Sequence, residues 1–192
     1  NDTNQFLLEY DVNYDEHWKF KSELNYPVMI KNDKYMDSTA FNLIKSKLQD
    51  TEKKIKREIF STIDIQSFAL FNFIQNIMFN TETCWPKSVF LILDISDNML
   101  SCGPVWDFDW SLEHTMENLD NNIIQTPYSK FLQNNEDFIR FSQEYCYSIS
   151  ENDIVNHINE TTQAIEKSAI LDYSIYPGTH QHNIFYNDES FA

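Results

Sequence analysis

Glycine is almost absent from this 192-residue chain; only Gly103 and Gly178 occur. That excludes a glycine-rich phosphate cradle, because both G-x-G-x-x-G and the P-loop need several glycines within one turn. Basic residues are scarce too. Fourteen Lys and Arg against thirty Asp and Glu give 14 − 30 = −16. Nucleic acid and anionic membrane surfaces are held by clustered cations, so neither is expected as a partner. A phosphate held through a divalent cation stays open, since carboxylates are then the ligands. No run of about 18 apolar residues exists, so no membrane span is expected. The start, Asn1-Asp-Thr-Asn-Gln5, has no basic flank and no apolar stretch behind it, and so does not read as a signal peptide. The chain opens without Met and moves straight into a strand-like run, which reads as a piece or processed product of a longer protein. Cysteine is limited to Cys84, Cys102 and Cys146. Three thiols leave at least one unpaired and fit no zinc spacing; they read as small buried hydrophobes.

What the chain does have is apolar and aromatic residues, 42% and 15% of the total. That suffices for one core, so a single domain over 1–192, or one lobe of a larger one, is expected. Phe6 to Val12 partly alternates and reads as a strand, and Phe20 to Ile30 as a second extended segment interrupted by Pro27. Residues 37–59 read as a helix capped by Asp37-Ser38. Phe41, Ile44, Leu48 and Ile55 lie on one face, and Glu52 and Lys56 form an i,i+4 pair outside. Asp64 caps a helix over Ile65 to Phe79 whose apolar residues run nearly all round, as in a buried central helix. Val89–Ile95 and Met99–Trp106 flank a polar turn and read as a hairpin. Residues 115–128 are Asn-rich and read as loop. Asn135 caps a helix through Ile149, and Ser150 with Asp153 opens another that ends near Ile170. The fold class is therefore α+β, with helices outweighing strands after residue 112.

The strongest chemical signal is Gly103-Pro-Val-Trp-Asp-Phe-Asp-Trp-Ser111. Asp107 and Asp109 flank one aromatic residue just past a strand. In an extended backbone, side chains at i and i+2 point the same way, so both carboxylates would aim inward at one cavity. Mg²⁺ favours such oxygen ligands together with substrate phosphates. The apolar neighbours Val105, Trp106, Phe108 and Trp110 raise the cost of two adjacent anions unless a cation offsets them. A second signal is the polar loop from Asn76 to Ser88. Glu82 is its candidate base or metal-site carboxylate, Lys87 a candidate phosphate contact and Ser88 a candidate minor ligand. His180-Gln-His182 reads as an unliganded tail motif, and His17, His114 and His157 stand alone.

The helix–loop–hairpin stretch resembles the spore coat protein H (CotH) kinase family. The matching residues are Asp64-Ile-Gln-Ser-Phe68, Asn80-Thr-Glu82, Trp85-Pro-Lys-Ser88 and the block Gly103-Pro-Val-Trp-Asp-Phe-Asp-Trp110. Phe6 to Asp11, Phe20-Lys21 and Pro27 to Lys31 look like the family's preceding strands. The resemblance covers residues 5–112; the helical part, 113–172, fits loosely, and the tail from 173 is irregular. The Trp-Pro-Lys-Ser variant looks like members from gut-type Gram-negative bacteria. The resemblance implies the larger lobe of an atypical protein-kinase-like fold. It also implies Mg²⁺ and ATP as cofactors, protein Ser/Thr hydroxyls as acceptors, and a secreted or cell-envelope setting.

Carried over residue by residue, Asp107 stands at the metal-binding Asp of a kinase Asp-Phe-Gly, with Asp109 in place of the glycine. Glu82 stands in the catalytic loop where family members usually carry Asp, and Ser88 about where a second metal ligand would stand. Two departures matter. Glu82 is one methylene longer than Asp, and a misplacement of about an ångström can cost on the order of a hundredfold in rate. The chain also lacks an ATP-covering lobe, which is expected elsewhere in the full-length protein; the isolated chain is expected to bind ATP poorly. A different class stays in view: a non-catalytic surface or coat module, binding protein or glycan on a kinase-like scaffold.

Overall fold

The computed structural model describes residues 4–31, 36–84, 86–108, 111 and 124–176. The architecture is α+β, with two units at Asn1–Cys146 and Tyr147–Ala192. In the first, five antiparallel strands, β1 (Gln5–Tyr10), β2 (Lys19–Lys21), β3 (Pro27–Ile30), β4 (Val89–Asp94) and β5 (Met99–Cys102), form one sheet in the order β2-β3-β1-β4-β5. Period-two alternation builds its inner face. Leu8 opposes Ile30 and Leu91, Tyr10 opposes Val28 and Val89, and Leu93 opposes Leu100; all these side chains are buried. The interrupted segment resolves into a hairpin. Asn25 takes a left-handed φ of 66° in the turn, and Pro27 enters β3 at its first residue, where strands tolerate it.

Two helices close the core over this face. The helix α1 (Ser38–Ile55) is capped by Asp37, which accepts from the Ala40 N–H at 2.8 Å, and it buries Ile44, Leu48, Thr51, Glu52 and Ile55. The helix α2 (Ile65–Ile77) is capped by Asp64 and buries Phe68, Ala69, Phe71, Phe73 and Gln75. It is not apolar-buried all round as its composition predicts, because Leu70 and Ile77 face outward, 39% and 47% exposed. Residues 124–128, read from sequence as loop, form no helix or strand, yet Ile124, Thr126 and Tyr128 are buried. They lead into a single turn, α3 (Ser129–Leu132), and then α4 (Glu136–Ser148), where the Asn135 side chain accepts from the Phe138 N–H. In the second unit α5 (Glu151–Ile175) opens on the Ser150–Asp153 capping box, runs past Ile170 and buries none of its residues. Cys84 and Cys146 are exposed and Cys102 is half-buried, so the thiols are not the interior residues that composition predicts.

The Glu52–Lys56 pair does not form. Lys56 reaches Glu23 at 2.9 Å, and Glu52 turns inward and is fully buried. Its Oε1 accepts from the Tyr128 hydroxyl at 2.8 Å and the Tyr10 hydroxyl at 3.3 Å, and its Oε2 from the Leu24 N–H at 2.8 Å. Helical spacing explains this, because Glu52 follows Ile44, Leu48 and Thr51 on the inner face. Burial pushes the Glu52 carboxyl above its ordinary 4.5, against donors from Leu24, Ser22, Tyr128 and Tyr10 that favour the anion.

Gly103, just after β5, is required by close approach. A Cβ there would lie 2.9 Å from the Phe90 carbonyl carbon and 3.0 Å from its oxygen, both backbone atoms of β4. The Gly103 N–H donates to that same oxygen at 2.8 Å.

The folded state holds the Glu52 proton more tightly than the unfolded chain does. The stability this provides is present in full below pH 4.5 and is lost as pH rises through the higher folded value. Paired urea titrations should therefore show the native chain doing better against Glu52→Gln at about pH 4 than at about pH 7; the opposite trend would exclude a raised folded value. Gly103→Ala should lower stability by about 1–3 kcal/mol through overpacking, read from the urea midpoint, and an unshifted midpoint would mean β5 moves aside freely.

Candidate functional site

The site begins where α2 stops. Phe79 takes a left-handed φ of 47°, which turns the chain out of the helix, and the Asn80 N–H donates back to the Gln75 carbonyl at 3.0 Å. Residues Thr81–Cys84 then wind one 3₁₀ turn, an element sequence periodicity does not announce.

Asn80 is fully buried and organises the turn after it. Its Oδ1 accepts from the Glu82 N–H at 3.2 Å, and its backbone oxygen accepts from the Thr83 hydroxyl at 3.2 Å. Its Nδ2 donates to the Asp107 carbonyl at 3.1 Å. Its backbone also bridges Ser111 in antiparallel fashion. One side chain thus joins the Glu82 loop to the segment after β5, two stretches far apart in sequence.

The Glu82 carboxylate is buried, 2% exposed. Lys87 Nζ lies 2.5 Å from its Oε1, and its Oε2 has no hydrogen-bond partner among the described residues. Between Lys87 and β4, Ser88 takes a left-handed φ of 55°. The Ser88 N–H donates to Asp11 Oδ2 at 3.1 Å. Glu82 and Lys87 are therefore in contact, and Ser88 follows directly in the chain, bonded to Asp11.

The other half of the site departs from expectation. β5 ends at Cys102, not at Trp106, since Pro104 cannot donate to a ladder. Asp107 has a left-handed φ of 57°, so the alternation of an extended strand does not run through it. The residue is exposed rather than aimed into an enclosed cavity. Val105 and Trp106, expected as apolar walls, are 39% and 62% exposed, with Trp106 edge-on to Phe90. Asp109, Trp85, Trp110, His114, His180 and His182 lie outside the described residues. Among the described residues no three His, Cys, Asp or Glu side chains gather as a metal-binding group.

The cleft beside the 3₁₀ turn is lined by Tyr26, Thr83, Cys84, Pro86, Pro127 and Lys130 and holds about 110 Å³. Small-molecule sites usually enclose roughly 300–1,000 Å³, so this cleft does not enclose a nucleotide. A larger cavity of about 380 Å³ opens at the start of α4, but Glu58, Glu136 and Asp137 line it and would repel phosphate.

Two residues of the corner escape sequence reasoning. Asn80 is legible only as part of a loop motif, and its bond to Asp107 depends on tertiary approach. Asp11 gives no local signal, because a lone Asp after a strand is most often a solvated turn residue. Among described residues no helix is long and apolar enough to cross a membrane. No family model, curated protein or solved structure matches the chain.

Proposed function

We propose that the chain carries part of the larger lobe of a CotH-like, atypical protein-kinase-like phosphotransferase, which moves a phosphoryl group from Mg²⁺–ATP to a protein Ser or Thr hydroxyl. One observation carries this reading: buried Asn80 ties the Glu82 loop directly to the backbone of Asp107. Phosphoryl transfer needs a carboxylate that orients the acceptor hydroxyl close to a second that holds the metal, and a cation near the phosphates. In this reading Glu82 uses its unpartnered oxygen to accept the acceptor's proton. Asp107 and Asp109 would hold Mg²⁺. Lys87 and Ser88 meet the phosphate oxygens at the rim. A bound Mg²⁺ would supply charge neutralisation on the β- and γ-oxygens. The open setting of Asp107 agrees with a nucleotide that is covered only by a further lobe.

The alternative is a non-catalytic module on a kinase-like scaffold, binding protein or glycan. The Lys87–Glu82 ion pair favours it, because a lysine on the buried carboxylate neutralises the group that would take the proton. The exposed Trp106 would then serve as a contact residue.

Calorimetric titration of the full-length protein with ATP, with and without Mg²⁺, separates the two. Saturable binding that needs the metal is the expected result; no binding under either condition supports the module. Asp107→Asn should cut phosphotransfer by at least about a hundredfold with an unchanged far-UV spectrum, and undiminished transfer would remove Asp107 from the metal site.

A further inference from the structure

Asp11 is a buried carboxylate to which the phosphotransferase reading gives no part. It is 5% exposed and comes directly after β1. Its Oδ1 accepts from the Asn13 N–H at 2.7 Å and its Oδ2 from the Ser88 N–H at 3.1 Å. Its own N–H donates to the Pro27 carbonyl at 3.2 Å, so its backbone is fixed by the neighbouring hairpin. Ser88 is neither Gly nor Asn, yet it holds a left-handed φ of 55°. Such a conformation costs a serine free energy and persists only where the surroundings hold it. A carboxylate accepting the amide of that residue is a charge-assisted bond, among the stronger ones available. It sits where Tyr10 pairs with Val89, the first residue of β4, so it fixes the last step of the loop before the sheet begins.

We propose that Asp11 is the positioning residue of the site: its bond to the Ser88 amide holds the left-handed turn that brings Lys87 onto Glu82 and sets Ser88 at the rim. Asp11 touches no reacting atom. It acts through the backbone of the loop, from the residue directly after β1. Its role in nucleotide binding rests on the phosphotransferase reading; its hold on the loop does not.

Asp11→Asn keeps the size and one acceptor oxygen, and Asp11→Ala removes both acceptors. Amide hydrogen exchange on the full-length protein should speed up at Ser88 by at least about tenfold in Asp11→Ala, and less in Asp11→Asn, while amides inside β1 and β4 keep their rates. With Mg²⁺–ATP, KM should rise by about tenfold to a hundredfold in Asp11→Ala with kcat within about twofold, the pattern of a residue that places binding groups. Unchanged exchange at Ser88 would overturn the proposal. So would loss of protection spread evenly over β1 and β4, which marks a general structural role, or an unmoved KM. If the native protein binds no Mg²⁺–ATP, the phosphotransferase reading fails, and Ser88 exchange alone decides whether Asp11 holds the loop.

Discussion

The fold depends on one buried carboxylate and the hydroxyls around it. Glu52 brings α1, the central strand, the β2–β3 turn and the segment before α3 to one point, through Tyr10, Leu24 and Tyr128. The two tyrosine oxygens also lie 2.5 Å apart, so one of the two protons is shared between its tyrosine neighbour and Glu52. Their rings sit in a cluster with Tyr26 and Phe68, stacked and edge-on. Burying a carboxyl group without a cation beside it is costly, and among the described residues hydrogen bonds from Tyr10, Leu24 and Tyr128 offset that cost. Tyr128 also holds a left-handed φ of 66°, a strained backbone for a bulky residue, and its bond to Glu52 is part of what keeps it there. The polar network therefore selects one packing of an otherwise interchangeable apolar interior.

The candidate site reuses that design at smaller scale. Buried polar side chains, Asn80 at one end and Asp11 at the other, fix a loop by accepting from or donating to its backbone. Between them Glu82 sits buried, with one lysine for company. Among the ion pairs of the described residues, Lys87–Glu82 holds the most buried carboxylate, 2% exposed against 10% or more for the others. The same pairing is what both functional readings turn on, since Lys87 can steady a phosphate or silence a base.

Much of the architecture is legible in the sequence because local signals and tertiary needs agree. Asp37, Asp64, Asn135 and Ser150 cap the helices their neighbours predict, and the β4–β5 hairpin forms around its polar turn. Where the sequence misleads, a long-range contact wins over a local one. Glu52 has a lysine one turn away, yet its position on the helix puts it inside. Residues 124–128 are loop as expected, yet nothing local shows that Tyr128 is buried and gives its hydroxyl to the carboxylate. At the site, Glu82 and Lys87 are legible only as polar loop residues, and their ion pair depends on how the loop folds back. The backbone at Asp107 is not, because a left-handed residue outside glycine leaves no pattern in sequence. Asp11 is silent for a related reason: its partner lies seventy-seven residues away.

The placement of β1 bears on how the chain folds. β2 with β3, and β4 with β5, are local hairpins that can close early. The strand between them belongs to neither, and half its ladder joins Leu8 to Leu91 across most of the first unit. Two preformed halves must therefore wait for one ribbon to zip between them, a search whose entropy cost grows with the intervening loop. Until α2 has been made and β4 emerges after it, the first strand has a vacant edge, and that interval is when the nascent chain is most open to pairing with a neighbour.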